Sequence, residues 1–210
     1  MSLFPSKLVK GDEVRVIAPS LSLKTMSQDT IDYAIHVLEA MGLKVSFGKH
    51  VNEIDMFGSS SIESRLSDLH EAFADKHVKA ILAVRGGSNA NQLLQYIDYD
   101  VIQKNPKIFC GFSDITALQN AIYHKTGLIT YSGPGFSSFA MHKGFEYSLE
   151  FFRKIFFEQS SINLVASQSW SDDPWFVDQQ NRTFYDNDGY CLINPGKAKG
   201  TIVGGNLTTF

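Results

Sequence analysis

The chain has 210 residues, 43% of them hydrophobic and 20% charged, an ordinary globular composition that excludes disordered and collagen-like classes. Its formal net charge is −3, and it lacks the basic surplus or stripe of a nucleic-acid-binding protein. No apolar run is long enough to span a membrane, and the N-terminus lacks the apolar core of a secretory signal. We therefore expect a cytoplasmic protein without nucleic-acid or membrane partners, whose two cysteines, Cys110 and Cys191, are buried free thiols.

Strand and helix patterns alternate over the first 157 residues. Apolar strands are predicted at 14–18, 43–47, 78–84, 108–112 and 128–131. Helices with apolar residues on one face are predicted at 31–41, 62–73, 93–97, 114–125 and 146–157. Two pairs, Thr25 with Gln28 and Ser60 with Glu63, fit capping boxes before the first two helices. The alternation favours an α/β, Rossmann-like domain, with a parallel sheet and helices on both faces.

The composition changes after about residue 158. Residues 167–190 carry five aspartates and both tryptophans with little periodicity, which favours a long loop. The chain then resumes with an apolar, glycine-rich segment and stops at Phe210. We interpret 1–160 as the α/β domain and 161–199 as an interdomain loop or linker. Residues 200–210 would then be the first segment of a truncated second, C-terminal domain that is otherwise absent.

The motifs of nucleotide and metal sites are incomplete in this sequence. The turn after the first strand, residues 19–22, has no GxGxxG, and Gly196-Lys197 is followed by Ala198 where a P-loop has serine or threonine. His70-Glu71 begins an HExxH motif, but position 74 is alanine. The residues therefore predict neither a cofactor nor a metal site.

Residues 111–114 (GFSD) lie where a predicted strand turns into a helix, which is the setting of a nucleophile elbow. Such a turn lifts the Ser113 hydroxyl above the strand ends, and Gly111 removes a Cβ that would clash. The helix start directs free N–H groups at negative charge, and the N–H of Asp114 is placed to bind an oxyanion. Ile115 replaces the second glycine of GxSxG, so the turn differs from that of α/β-hydrolases. From these residues alone, an N-capping role for Ser113 is the simpler interpretation.

A second glycine motif follows the neighbouring apolar strand. Gly86 and Gly87 should lie on the same edge of the sheet as Ser113, because ligands in parallel sheets bind at the carboxyl ends of the strands. Two glycines there either bring backbone N–H groups close to a substrate or simply form a tight turn. Cys110, beside the elbow, is expected to be a buried small hydrophobe and not a nucleophile.

Several runs of this sequence together resemble the LD-carboxypeptidase family of serine peptidases, and within it the microcin C self-immunity branch. They are residues 85–94 (RGGSNANQLL), 96–100 (YIDYD), 105–107 (NPK) and 111–118 (GFSDITAL). The opening runs 10–14 and 18–20 and the closing run 204–207 (GGNL) fit as well, so the resemblance covers nearly the whole chain. It implies a two-domain Ser–Glu–His hydrolase whose Glu and His come from the C-terminal domain.

The resemblance implies a role for individual residues. Ser113 is the nucleophile, and Asp114 together with Gly86 or Gly87 supplies the oxyanion N–H groups. Arg85 is a candidate for binding the substrate carboxylate, and the alternative is a structural ion pair at the strand end. Either Trp170 or Trp175 is a candidate for stacking on the nucleobase of a substrate, and the alternative is that both pack the domain junction.

The implied activity is hydrolysis of an amide bond in a small peptidyl or aminoacyl-nucleotide substrate of the microcin C type. One alternative is removal of the terminal D-residue from a murein tetrapeptide. Another is a ligand-binding domain without turnover, because none of the six histidines matches the family's catalytic base and only His124 and His142 are stand-ins. We expect residues 1–210 alone to be inactive and the reading frame to continue, and the resemblance leaves a homodimer open.

Overall fold

The structure, a computed structural model, describes residues 2–209 and contains a five-stranded parallel sheet of order β2-β1-β3-β4-β5. The strands are β1 (Glu13–Ile17), β2 (Lys44–Phe47), β3 (Val78–Ala83), β4 (Ile108–Gly111) and β5 (Tyr131–Ser132). The helices are α1 (Gln28–Ala40), α2 (Ile62–Ala74), α3 (Tyr99–Lys104), α4 (Thr116–Thr126) and α5 (Glu146–Phe157). The predicted α/β fold is confirmed. None of the helices described between residues 2 and 209 has the length and apolar character needed to cross a membrane.

Helices cover both faces of the sheet, which explains why the central strand reads as a continuous apolar run. In β3, Ala80 and Leu82 face the core formed with α1 and α5, whereas Ile81 and Ala83 face the core formed with α2, α3 and α4. All four side chains are fully buried. Alternation between two buried faces is typical of parallel sheets, in which polar positions are not needed on either side.

The helix starts correct two sequence predictions. Ser27 caps α1, and its hydroxyl accepts the N–H of Thr30, so the box predicted at Thr25 was wrong. Ser61 caps α2 in the same way, not Ser60. In each case the capping serine is the last residue with extended backbone, with ψ of 156° and 157° respectively. Side-chain capping requires that backbone conformation, which the spacing of residue types alone does not reveal.

The helix predicted at 93–97 was wrong. Residues Ala90–Leu93 form a short 3-10 helix, and α3 begins only at Tyr99, after Asp98. The Asp98 carboxylate accepts the N–H groups of the following turn and so defines the helix start. Leu93 and Ile97 are buried nevertheless. Their apolar spacing therefore predicted burial correctly, although these residues do not form the α-helix that it also predicted.

The last strand of the sheet lies later in the chain than predicted. Leu128 forms an isolated parallel bridge with Leu3, and only Tyr131 and Ser132 pair with the end of β4. After α5, two short antiparallel strands, β6 (Ser169–Trp170) and β7 (Tyr185–Asp186), form a ribbon. The division of the chain at residues 160 and 200 stays a prediction.

The strand order creates a crevice at the carboxyl edge of the sheet. The chain leaves β1 toward β2 on one side and leaves β3 toward β4 on the other, so the loops after β1 and β3 diverge. Such a switch point is where open parallel sheets bind ligands. The loop after β4, which carries Ser113, is the next neighbour of the loop after β3.

We expect Phe139→Ala to lower the free energy of unfolding by about 3–5 kcal/mol, because removal of the large side chain would leave a cavity in the core. Phe139 is fully buried, and its ring lies edge-on to Phe145 and Phe152 at centroid distances of 5.2 and 5.0 Å. Urea denaturation followed by circular dichroism measures the change. Phe57→Ala is the control, since Phe57 is 74% exposed and should cost under about 0.5 kcal/mol. Equal losses would contradict this assignment of the core.

Candidate active site

Ser113 stands at the turn between β4 and α4 in a strained conformation. Phe112 is extended, and Ser113 begins a short 3-10 helix, Ser113–Ile115, that runs into α4. Its φ of 61° makes Ser113 the one non-glycine residue with positive φ between residues 2 and 209. This conformation costs a non-glycine residue about 1–2 kcal/mol, and such strain is concentrated at functional sites.

The Ser113 side chain does not cap the helix. No side-chain capping bond is present at the start of the 3-10 helix or of α4, so the N-cap interpretation was wrong. Gly111 has the spatial role predicted for it, because a Cβ there would lie 3.0 Å from Ile115 and 3.1 Å from Ala83. The turn therefore presents a serine hydroxyl that no helix N–H engages.

Gly86 lies directly against the Ser113 turn. A Cβ on Gly86 would be 2.7 Å from Ser113 Cβ, 2.9 Å from its Oγ and 3.3 Å from the backbone nitrogen of Asp114. A Cβ on Gly87 would instead be 2.3 Å from Ser20 Oγ. Of the two glycines, Gly86 is thus the one whose missing side chain permits close approach to Ser113. Between residues 2 and 209, the N–H groups of Gly86 and Asp114 have no hydrogen-bond acceptor.

The side chain of Asp114 joins three loops, which the sequence analysis missed. Asp114 is 6% exposed, and one carboxylate oxygen, Oδ2, accepts three hydrogen bonds. They come from the Ser20 hydroxyl at 2.6 Å and from the backbone N–H groups of Asn89 and Ala90 at 2.9 and 2.8 Å. The loops after β1 and β3 are thereby tied to the turn that carries Ser113.

Arg65 is hydrogen bonded to the same two loops, those after β1 and β3. It is 3% exposed, and its guanidinium donates to the carbonyls of Pro19 at 3.2 Å and Asn89 at 3.0 Å, and to Gln92 Oε1 at 2.7 Å. Burial lowers the pKa of Arg65. A signal for this role was visible in the sequence, because Arg65 falls between Ile62 and Leu69, on the apolar face of α2.

Arg85 is half-buried at the carboxyl end of β3. It makes no salt bridge with any residue between 2 and 209, so the alternative of a structural ion pair was wrong for this part of the chain. The two tryptophans differ in surroundings. Trp175 is partly buried against the core, whereas Trp170 is 48% exposed on the ribbon, with its ring 5.1 Å from that of Tyr185.

Two adjoining cavities, together called the groove below, lie between Phe112, the residue before Ser113, and Trp170. The first has a volume of about 310 Å³ and is lined by Phe112, Pro134 and Phe145, among others. The second, of about 780 Å³, lies between α5 and the ribbon and is lined by Trp170. The cavities have three residues in common, which are Met141, Gly144 and Ser148. The groove thus has Phe112 at one end and the exposed indole of Trp170 at the other, and Ser113 itself lines neither cavity.

The chain's closing segment reaches the same turn. A Cβ on Gly205, whose φ is 146°, would lie 2.3 Å from Thr116 Cγ2. The N–H of Asn206 donates to Thr116 Oγ1 at 3.0 Å, and the Thr209 hydroxyl lies 3.4 Å from the carbonyl oxygen of Ser113. The glycine-rich segment that the sequence singled out therefore packs on the first turn of α4.

With this geometry in place, comparison with known proteins identifies the family. Residues 14–133 match the Peptidase S66 family, described as the LD-carboxypeptidase N-terminal domain. The chain belongs to this family. Its relatives include YocD of Bacillus subtilis, which carries the name of a carboxypeptidase and is 52% identical over 99% of this chain and 64% of its own length. The murein tetrapeptide carboxypeptidase of Pseudomonas aeruginosa is 34% identical over 58% of this chain and 38% of its own.

Solved structures of the Peptidase S66 family match the whole fold. An MccF-like protein from Bacillus anthracis has a TM-score of 0.97 and 54% identity, covering 99% of this chain and 63% of that one. The microcin C7 self-immunity protein MccF, in complex with aspartyl sulfamoyl adenosine, has a TM-score of 0.89 and 31% identity, covering 99% and 64%. The chain thus spans less than two-thirds of the length of these proteins.

A serine hydroxyl needs a base to act as a nucleophile, and no histidine of residues 2–209 lies at hydrogen-bond distance from Ser113. The exposed ring of His142 packs on Tyr33, with centroids 4.1 Å apart, and His124 lies in the last turn of α4, at the opposite end from Ser113. His70 Nε2 accepts the N–H of Asp98, 28 residues along the chain, and burial lowers its pKa.

The two cysteines of this Peptidase S66 chain have different surroundings. Cys110 is fully buried, and burial raises the pKa of its thiol to about 12. The thiolate is the nucleophilic form, so Cys110 is inert at neutral pH, as expected for a small core residue. Cys191 is exposed, and the expectation that it is buried was wrong. It lies in the irregular segment after β7, where no helix or strand covers it.

We expect Ser113→Gly to raise the free energy of unfolding by about 0.5–1 kcal/mol relative to Ser113→Ala. The reason is the positive φ of Ser113, which glycine adopts without strain, whereas alanine keeps a Cβ in the strained conformation. Ser132→Gly in β5 is the control with the opposite sign. There a glycine should cost about 0.5–1 kcal/mol, since it only adds freedom to the unfolded chain. Urea denaturation of the four proteins, wild type included, gives the comparison. A Ser113→Gly variant less stable than Ser113→Ala would argue against strain at this turn.

Proposed function

We propose that this chain carries the nucleophile of a serine carboxypeptidase-type hydrolase that cleaves an amide bond in a small substrate. Its turn geometry carries the proposal. Ser113 is held in a strained conformation, and its hydroxyl is free of capping bonds. The backbones of Gly86 and Asp114, whose N–H groups have no acceptor among residues 2–209, lie beside it. Unpaired donors next to a strained serine are the parts that acyl transfer requires.

The chemistry proceeds in two halves. Ser113 Oγ attacks the carbonyl carbon while a base takes its proton, and the carbonyl oxygen becomes an oxyanion that accepts the N–H groups of Gly86 and Asp114. The tetrahedral intermediate collapses, the C–N bond breaks, and the base returns the proton to the leaving amine. Water then attacks the acyl-serine ester by the same route and releases the acid. The resemblance assigns the base to a histidine held by a glutamate in a second domain.

Arg85 is suited to bind the substrate's terminal carboxylate. It directly precedes Gly86, so a carboxylate on Arg85 would lie close to the proposed oxyanion donors. Its guanidinium is not engaged by any acidic side chain of residues 2–209 and can form a bidentate pair with a carboxylate.

For the substrate, we propose an aminoacyl or peptidyl nucleotide. The groove between the Ser113 turn and Trp170 supports this choice, since an exposed indole at its far end can stack on a nucleobase. The related MccF has been solved with aspartyl sulfamoyl adenosine, an aminoacyl-nucleotide analogue. The second candidate is a murein tetrapeptide, favoured by the free Arg85 and by the murein carboxypeptidase among the relatives. Binding without turnover is the third, because residues 2–209 bring no base to Ser113.

We expect the full-length protein encoded by the gene to release the terminal residue from such a substrate, and Ser113→Ala to abolish this. Loss of one triad member costs about 10⁴- to 10⁶-fold in rate, so residues 1–210 alone should be at background for the same reason. Release from an aminoacyl-nucleotide mimic and from a murein-type tetrapeptide is measured in parallel. Ser160→Ala, at an exposed site away from the turn, is the control and should retain full activity.

Turnover that survives Ser113→Ala would remove the serine mechanism. Turnover by residues 1–210 alone that depends on Ser113 would show instead that the base lies within this chain, with His142 the first histidine to test. Binding of the mimic by the full-length protein without turnover would favour the ligand-binding alternative.

We expect Trp170→Ala to raise KM for the nucleotide substrate about 5- to 100-fold, because base stacking on an aromatic side chain is worth about 1–3 kcal/mol. KM for a tetrapeptide without a base should not change. Trp175→Ala is the matched control: it removes a partly buried ring, so it should lower stability and leave the ratio of the two KM values unchanged. If the two variants raise the nucleotide KM equally, Trp170 is not the stacking residue.

A further inference from the structure

We propose that the Asp114 carboxylate is a positioning residue that sets the separation of the two oxyanion donors. This inference rests on the proposed function and assigns the Asp114 side chain a role distinct from that of its backbone. The backbone of Asp114 carries one donor N–H, beside Gly86. Its carboxylate binds the loop that carries the other donor, through Asn89 and Ala90. A single residue therefore connects both halves of the oxyanion site.

The loop after β3 is restrained by hydrogen bonds on either side of Gly86, at Val84 before it and at Asn89 and Ala90 after it. Between residues 2 and 209, no backbone N–H of residues 85–88 donates to a backbone carbonyl outside a helix or strand. Before Gly86, Val84 donates its N–H to the carbonyl of Ile17 at 2.8 Å and accepts the N–H of Ser137 at 2.9 Å. After Gly86, the next N–H groups with protein acceptors are those of Asn89 and Ala90, and both donate to Asp114 Oδ2. Hydrogen bonds to an ionised acceptor are shorter and stronger than neutral ones. Gly86 thus lies between a backbone anchor two residues earlier, at Val84, and this carboxylate anchor three residues later, and its position depends on both.

The rest of the network explains why the fold should survive loss of the carboxylate. Arg65 holds the carbonyl of Asn89 at 3.0 Å and that of Pro19 at 3.2 Å, independently of Asp114. Without the carboxylate, the loop keeps this anchor on its carbonyl side and loses the one on its amide side. Gly86 would then shift relative to Ser113 while the sheet and helices remain in place. A shift of this kind impairs the transition state more than substrate binding.

The test uses the full-length protein with Asp114→Ala, Asp114→Asn and a matched control, Asp68→Ala. Asp114→Ala should lower kcat about 100-fold, the usual cost of a lost oxyanion donor, with KM within about threefold of wild type. Asp114→Asn keeps an amide oxygen that can accept the same three donors and should recover most of the lost kcat. Asp68 is 3% exposed and its carboxylate likewise accepts a loop N–H, that of His50.

Asp68→Ala should therefore destabilise the protein about as much as Asp114→Ala does, but leave kcat within about threefold of wild type. This comparison separates an effect on the position of Gly86 from an effect on stability. Thermal unfolding of each variant confirms that the assayed protein is folded. The proposal is overturned if Asp114→Ala lowers kcat no more than Asp68→Ala, if it raises KM instead, or if Asp114→Asn is as impaired as Asp114→Ala. If Ser113→Ala leaves turnover intact, the serine mechanism fails first and the positioning role fails with it.

Discussion

The close approach of two loop backbones at the carboxyl edge of the sheet is the constraint on which the site depends. Strands β3 and β4 are neighbours, so the loops that follow them compete for the same space. The two loops can approach closely because Gly86 has no side chain and because Ser113 adopts a left-handed backbone conformation. Neither feature is favourable by itself, because the serine conformation is strained and the glycine loses more entropy on folding.

Buried polar interactions stabilise that arrangement. One carboxylate oxygen of Asp114 accepts three hydrogen bonds. The Arg65 guanidinium donates to a carbonyl in the loop after β1 and to one in the loop after β3. Asn89 belongs to both sets, since its N–H binds the carboxylate and its carbonyl binds the guanidinium. Buried charges are costly unless their hydrogen bonds are satisfied, and here satisfying them requires all three loops to be in place. The charges thus make loop geometry cooperative.

The segment around Gly205 adds a further contact to the same turn. Gly205 and Asn206 lie on Thr116, and the Thr209 hydroxyl lies next to the carbonyl of Ser113. In the proposed mechanism a second domain, entered through this segment, supplies the base. The contact of the segment with the first turn of α4 is therefore where the second domain would join the site. Among residues 2–209, these contacts involve the backbone of Ser113 and the side chain of Thr116, and the Ser113 hydroxyl makes no hydrogen bond.

The sequence by itself determined the class of fold and the turn between a strand and a helix, at the carboxyl edge of the sheet, that carries Ser113. These follow from short-range patterns: apolar runs of strand length, helical spacing between them, and a GxSD turn between a strand and a helix. It placed helix starts less well, as Ser27 and Ser61 show, because capping depends on the backbone conformation of one residue. It also missed the short 3-10 helix at Ala90–Leu93, since apolar spacing reports burial before it reports helix type.

Only the tertiary structure decided which glycine faces the serine and what the Asp114 side chain does. Both depend on the strand order, which makes the loops after β1, β3 and β4 neighbours although Ser20, Asn89 and Asp114 are far apart in the chain. From the sequence, Gly86 and Gly87 were equivalent, and Asp114 was notable only for its backbone. The difference arises from long-range packing, because Gly87 packs against Ser20 in the loop after β1 and Gly86 packs against Ser113. Among residues 2–209, the Asp114 carboxylate accepts hydrogen bonds only from Ser20, Asn89 and Ala90, which lie in the loops that it joins.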